Sequence, residues 1–489
     1  MNFSYIKLLV VSVLLVWSTD TAVSTVPDES YDSFLKEALE GYNGFRDSMN
    51  QEYADFLKQP WSSGKLRDAI KKREEPPVPI KRNDDRDRNY DDVEFDFEKV
   101  NPVKPPKPQP EPVEPIPDVV IDQPLVTSVL FYGTPLEFNL DRNMTLSLSI
   151  NNENSVSNAW RYLSDSAGAT KLLNELLSFR KTMMLGDWAY YQLIDKLSKT
   201  VFKSTGSSRL FTGWAMAQSG YSVRFAFADS GELLTLIGTD DIIYGYSGLN
   251  LNGLNYYFFH EKPSSNNLRF TEKDFPGSKS FSLRYANIPK FAFKSAGKKA
   301  LTVKHYPEIK VEMEANQNLL DYYGSIPRSS NADNQYTQWV QYADTPISEH
   351  NRDLIYPVLR KAIAGKSVHD SANIIMDFCE SFDYKLDDEM WGGDRPLYPD
   401  EMLHYFYSDC EDHAILFTRI IRDLLGLQTG LIYYPGHLAA LAVFDEPISG
   451  DHYILHGKKW MVCDPTYFYV GVGKQMPNVD ASKAVLIPL

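Results

Sequence analysis

Apolar residues recur every three to four positions across 30–72, where Phe34, Leu35, Ala38, Leu39 and Tyr42, then Phe45, Met49, Tyr53, Phe56 and Leu57, mark one face of a predicted helix. The same period predicts helices over 169–184 and 187–202, and a helical stretch from Pro346 to Tyr384. Between these, short alternating runs bounded by Gly, Pro or Asn predict strands at 130–133, 146–150, 281–285, 290–293, 301–304 and 309–313. Residues 209–260 switch from helix to strands. A helix from about Asp409 carries an apolar stripe of Ala414, Phe417, Ile421, Leu424 and Leu425 and stops at Gly426. Strands follow at 429–434, 438–444 and 459–463.

The pattern breaks between 73 and 124. Glu74-Glu75-Pro76-Pro77 opens this stretch, 83–96 is dense in charge and 102–117 is rich in proline, the composition of an extended linker that buries too little to fold alone. The expected organisation is therefore α+β in several parts: a signal peptide (1–24), a helical segment (25–72), the linker (73–124), a helix–sheet unit (125–262), a β-rich domain (263–345) and a C-terminal unit (346–489).

Lys7, the apolar run 8–17 and Ala22-Val23-Ser24 have the order of a cleavable export signal, and no later stretch is apolar for long enough to cross a bilayer. Export places the mature chain in the periplasm, the cell envelope or the medium. The net charge of -15 argues against nucleic acid as a partner. Three cysteines, Cys379, Cys410 and Cys463, are too few for a disulfide scaffold. Cys379 and Cys463 fall on apolar faces, as core residues or as a bridged pair.

Cys410 differs from both. Ser408-x-x-Glu411 reads as a capping box, which sets Cys410 in the first turn of its helix, where free amides and the dipole favour a thiolate or an oxyanion. Glu411 and Asp412 oppose that effect, so a cationic partner is needed. His437 follows the turn Pro435-Gly436 at the start of a strand, and Asp464 ends the next expected strand, before Pro465. Nucleophile, base and orienting acid are the roles these three residue types take in a catalytic triad. Zinc held by Cys410, His413, His437 and Asp464 would require unusual spacing, and the expectation is no metal and no cofactor.

The motifs Asp409-Cys410-Glu411-Asp412, Pro435-Gly436-His437 and Asp464-Pro465-Thr466-Tyr467 resemble those of bacterial transglutaminase-like proteins, relatives of the papain-like cysteine peptidases, over roughly 350–489. The resemblance implies a Cys-bearing helix on an antiparallel sheet and acyl transfer or hydrolysis at amide bonds of a peptide or protein. It also implies Cys410 as nucleophile, His437 as base and acid, and Asp464 as orienter. No motif marks an oxyanion side chain; Tyr398, Trp391 and Tyr407 are the candidates. The alternative is a non-catalytic binding or envelope-scaffold protein with the same fold.

An internal similarity adds a further expectation. Phe211-Thr212 and Gly220 match Phe417-Thr418 and Gly426; Leu233, Leu236, Leu251, Gly253 and Tyr256 match Leu438, Leu441, Leu455, Gly457 and Trp460. Residues 125–262 would then be a degenerate copy of the C-terminal unit, with Ser204, Glu232 and His260 in place of Cys410, His437 and Asp464. A carboxylate in the central position does not shuttle protons near neutral pH as an imidazole does.

Overall fold

The computed structural model describes residues 29–71, 77–78, 92–95, 119–142, 144, 150–263, 265–284, 287–332 and 334–489. The signal-like segment, most of the linker and nearly all of the strand expected at 146–150 lie outside them. The chain divides into two compact units, 1–51 and 52–489. Helix α1 (Glu29–Leu57) stops well short of the predicted 72, because Pro60 disfavours the helix before it and Ser62-Ser63-Gly64 are poor helix formers. Residues 62–65 instead form an edge strand, β1 (Ser62–Lys65).

In the second unit, β2 (Val93–Phe95) is a short strand inside the expected linker, and β3 (Leu125–Phe131) and β4 (Thr134–Leu140) form a hairpin. Four helices follow, α2 (Glu153–Asp165), α3 (Ala167–Thr182), α4 (Asp187–Val201) and α5 (Thr205–Gln218). Strands β5 (Val223–Ala228), β6 (Leu233–Thr239), β7 (Asp241–Ile243), β8 (Gly248–Leu251), β9 (Leu254–Tyr257) and β10 (Asn267–Phe270) come next. Six strands make one antiparallel sheet in the order β1-β10-β5-β6-β9-β8. Helix α5 lies so close to it that a Cβ added to Gly213 would come within 2.5 Å of the Phe225 ring.

The stretch 263–345, expected as a β-rich domain, shares its strands among several sheets. Its main strands, β11 (Ser295–Val303) and β12 (Tyr306–Asn316), pair only with each other. β10 joins the first sheet, and β13 (Ser329–Asn331) pairs with β7. The described residues of 281–285 and 290–293 are irregular: Phe281, Leu283 and Phe291 are buried, so the alternation there reports burial without a ladder.

The remaining elements build the second sheet and its cover. Helices α6 (Gln317–Tyr323), α7 (Val340–Asp344), α8 (Glu349–Ile363) and α9 (Val368–Glu380) precede β14 (Asp383–Tyr384), α10 (Asp387–Met390), α11 (Pro399–Tyr405) and β15 (Tyr407–Ser408). Helix α12 (Cys410–Leu425) leads into β16 (Gln428–Tyr434), β17 (His437–Val443), β18 (Asp451–Leu455), β19 (Lys458–Cys463) and β20 (Val485–Pro488). Their order is β2-β18-β19-β17-β16-β20, antiparallel except for β2, which adds in parallel beside β18. Part of the expected linker is thus an edge strand, with Phe95 stacked on Tyr453 and Lys459 paired to Asp92.

The two sheets repeat one plan. Each follows a helix, and β10-β5-β6-β9-β8 has the strand order and directions of β20-β16-β17-β19-β18. The registers agree as well: Gly238 faces Tyr256 where Val443 faces Trp460, and Leu251 faces Leu254 where Leu455 faces Lys458. The apolar clusters correspond in the same way. Ala226, Leu234, Leu236, Leu249, Tyr256 and Phe258 occupy the places of Ile432, Ala439, Leu441, Tyr453, Trp460 and Val462.

Leu236 and Leu441 are fully buried at matching places in the two clusters. Leu236→Ala and Leu441→Ala should each lower the unfolding free energy by about 2–5 kcal/mol, read by denaturant titration with an unchanged slope.

Candidate active site

Cys410 opens helix α12, but not through a capping box. The N-cap Asp409 makes no side-chain cap bond, Ser408 Oγ lies 3.1 Å from His413 Nδ1, and Glu411 Oε2 accepts the Cys410 S–H at 3.3 Å. Ser408 and Glu411 are both buried, and their side chains take these partners in place of the cap bonds, which local spacing does not reveal. Gly426 ends the helix as expected, in the left-handed conformation at φ 68°.

Strands β16 and β17 are joined at Pro435-Gly436, where Gly436 takes φ 76°, the sign a type II turn requires at its second corner. His437 is therefore the first residue of β17. Its ring lies stacked near Tyr434, and its Nε2 donates to Asp464 Oδ2 at 2.8 Å. Pro465 breaks the chain at the end of β19, and Asp464 Oδ1 accepts from Thr466 N (3.0 Å), Thr466 Oγ1 (2.8 Å) and Tyr467 N (3.2 Å). Four donors thus immobilise this carboxylate. Burial pushes its pKa up, yet His437 and Thr466 more than offset that and hold it below the usual range.

With Nε2 committed, the other imidazole nitrogen defines the site. Nδ1 of His437 is buried and has no hydrogen-bond partner among the described residues. His437 and Cys410 both line a cavity of about 970 Å³, together with Leu438, Tyr433, Trp339 and Asp387. The Leu438 backbone N–H, one residue beyond the imidazole, hydrogen-bonds the Cys410 sulfur. The three residues read from the sequence thereby meet at one cavity: Cys410 and His437 line it, and Asp464 bonds the imidazole.

Charge around the sulfur runs against a resting thiolate. Burial, then Glu411 and Asp409, push the Cys410 thiol well up, and the Leu438 amide opposes them only in part. Burial and mutual repulsion also raise Asp409 and Asp412 well above the carboxylate range, and Asp387 to about 7. A thiol raised in this way needs a base to act as a nucleophile.

The remaining candidates fall outside the cavity wall. Tyr398 is a core residue, stacked on Tyr323 with its hydroxyl accepting from Gln341 Nε2. Trp391 stacks under Arg395, and Tyr407 under Lys385. His413 is buried and held down to about 4 by desolvation, its Nδ1 bonded to the Asp409 carbonyl at 2.8 Å, and among the described residues it is not part of a convergent group of metal-ligating atoms. All three cysteines are free, and Cys379 and Cys463 are fully buried without bridging.

Sequence reasoning missed two features. One is an aromatic wall, Tyr336 and Trp339 against Tyr433 with ring centroids 4.8 and 5.6 Å away, drawn from a turn 94 to 97 residues upstream that carries no motif. The other is Tyr384, whose phenol burial and the charges of Cys410 and Asp409 push far up; it ends β14, paired with Ser408. No protein-family model matches the chain, and no curated protein matches it.

Glu411→Gln removes a carboxylate that raises the thiol, so the pH profile of Cys410 alkylation should move to lower pH. A shift of one unit is on the order of a tenfold faster rate near pH 7. Asp464 is held below its ordinary 3.8, so the stability it contributes is present above that pH and lost as pH falls through its folded value. Urea unfolding of wild type and Asp464→Asn should therefore differ most near neutrality and converge in acid.

Proposed function

We propose that the chain is an exported, transglutaminase-like cysteine enzyme acting on amide bonds of a peptide or protein. The observation that carries the reading is the division of labour in His437: one nitrogen tied to Asp464, the other free and buried on the wall that holds Cys410. Cys410 Sγ adds to the amide carbonyl as its proton passes to His437 Nδ1. Free amides at the start of α12 face the developing oxyanion. Collapse breaks the C–N bond, His437 returns the proton to the leaving amine, and an acyl-thioester remains. Water or an amine then attacks, giving its proton to His437, and the thiol is released. Asp464 stabilises the imidazolium formed in each half.

The matched registers of the two sheets support the further reading that 125–262 is a degenerate copy of this unit. In it Glu232 pairs with Arg209 at 2.6 Å, and His260 meets Tyr191 and Asp195, with burial holding its imidazole down to about 4. Ser204 caps α5 through the Ser207 amide. Each group is used structurally, which suits a scaffold that has no acyl-transfer chemistry.

A second reading, a non-catalytic binding or envelope-scaffold protein, is favoured by one observation: the carboxylates that keep the thiol protonated. Peptide vinyl sulfones separate the two, with the fully buried Cys379 and Cys463 as internal controls. The enzyme reading requires a single adduct on Cys410, slowed about 10²-fold or more by His437→Ala. Equal rates at all three thiols, or a Cys410 rate indifferent to His437→Ala, would reject it.

A further inference from the structure

Beside Cys410 lies a group of carboxylates that Arg328, held by Asp394, reaches through its charge but not through an ion pair. Asp387, Asp409 and Asp412 bring oxygens to within 4.8 Å of one another, and Glu411 approaches Asp387 at the same range. Two of these side chains are fixed by the loop that follows α10: the Arg395 N–H donates to Asp387 Oδ2, and the Leu397 N–H donates to Asp412 Oδ1 at 2.6 Å. The free oxygens are the informative ones. Asp412 is only 1% exposed, yet its Oδ2 is buried and accepts no hydrogen bond, and the same holds for Asp409 Oδ1.

The nearby guanidinium groups are already engaged. Arg328 pairs with Asp394 at 3.2 Å and Arg395 with Glu401 at 2.5 Å; no ion pair among the described residues reaches Asp387, Asp409 or Asp412. Burying several carboxylate oxygens without donors is costly unless a cation joins them. A calcium-sized ion bonds oxygen at about 2.3–2.6 Å, so two oxygens on opposite sides of it stand about 5 Å apart, which the observed spread satisfies. Asp387, Asp409 and Glu411 line the cavity, which provides the way in.

We propose that Asp387, Asp409 and Asp412, with Glu411 alongside, bind one hard divalent cation of the calcium type at the inner end of the cavity. An organic ammonium suits the place less well, because Asp412 lies too deep for anything larger than an ion. Asp409 and Glu411 also converge with Cys410; a further group, His305, Asp377 and Glu380, differs in that His305 Nδ1 bonds Asp377 at 2.8 Å and the Tyr469 N–H bonds Glu380 at 3.1 Å. Those carboxylates have their partners.

The site is assigned from its own geometry and does not rest on the acyl-transfer reading. The test is calcium binding to the full mature chain after EDTA treatment, by isothermal titration calorimetry with CaCl₂. Thermal unfolding with and without CaCl₂ serves as the second readout. The expected result is one saturable site per chain and a melting temperature that rises with CaCl₂. Asp387→Asn and Asp412→Asn should each weaken binding by about tenfold or more, while Cys410→Ala retains it. Retention in Cys410→Ala lets the cation site and the enzyme reading fail separately. The proposal is overturned if EDTA-treated wild type shows no saturable calcium binding, which would mean that shared protons alone neutralise the cluster. It is equally overturned if folded Asp387→Asn and Asp412→Asn bind as wild type does, or if spermidine stabilises the chain where calcium does not.

Discussion

The hydrogen bond from His437 Nε2 to Asp464 Oδ2 joins the first residue of one strand to the residue just past the end of its neighbour. It exists because β17 and β19 pair in a single register, with Ala440 opposite Cys463. A slip of one residue would turn every side chain of β17 over and separate the two. Both partners are almost fully buried, so breaking the pair leaves an uncompensated charge, a loss of about 3–5 kcal/mol in comparable cases. The bond fixes the tautomer, leaving Nδ1 as the nitrogen that can accept a proton in the cavity.

The second organising feature is the helix–sheet plan that occurs twice. In both units the helix covers the two strands that follow it, and the buried aliphatic and aromatic positions coincide place by place. The difference lies in what the shared frame presents. At the C-terminal unit it presents a sulfur, an imidazole and a cavity; upstream, the corresponding Ser204, Glu232 and His260 are occupied in a cap, an ion pair and a buried contact. One backbone plan thus carries similar core positions with different residues at the strand ends.

Charge is the counterweight to the triad geometry. A helix N-terminus and the Leu438 amide favour negative charge on Cys410, while Asp409 and Glu411 oppose it. The competition makes the state of the acidic cluster as important to the sulfur as the histidine. Asp387, Asp409 and Glu411 of that cluster line the same cavity as the sulfur.

Local signals carried much of this in the amino-acid order. The stripe ending at Gly426, the Pro435-Gly436 turn and the break at Pro465 located α12, β17 and β19 to within a residue or so, because helix period, turn chemistry and proline each act over a few positions. The trio Cys410, His437 and Asp464 followed from where those elements end. What the order of residues could not carry were contacts set by packing at a distance. The described residues of 281–285 and 290–293 alternate like strands yet remain irregular, since single contacts such as Phe281 N–H to the Gly238 carbonyl and Lys290 N–H to the Met183 carbonyl do not continue into a ladder. Val93–Phe95 looks like linker and becomes an edge strand because β18 offers an open ladder. Ser408 and Glu411 have the spacing of a capping box, but tertiary burial gave each a different partner. The wall of Trp339 and Tyr433, and the meeting of Asp387 with Asp409 and Asp412, join chain segments 94 and about 22 residues apart. Only folding places those groups in reach of one another.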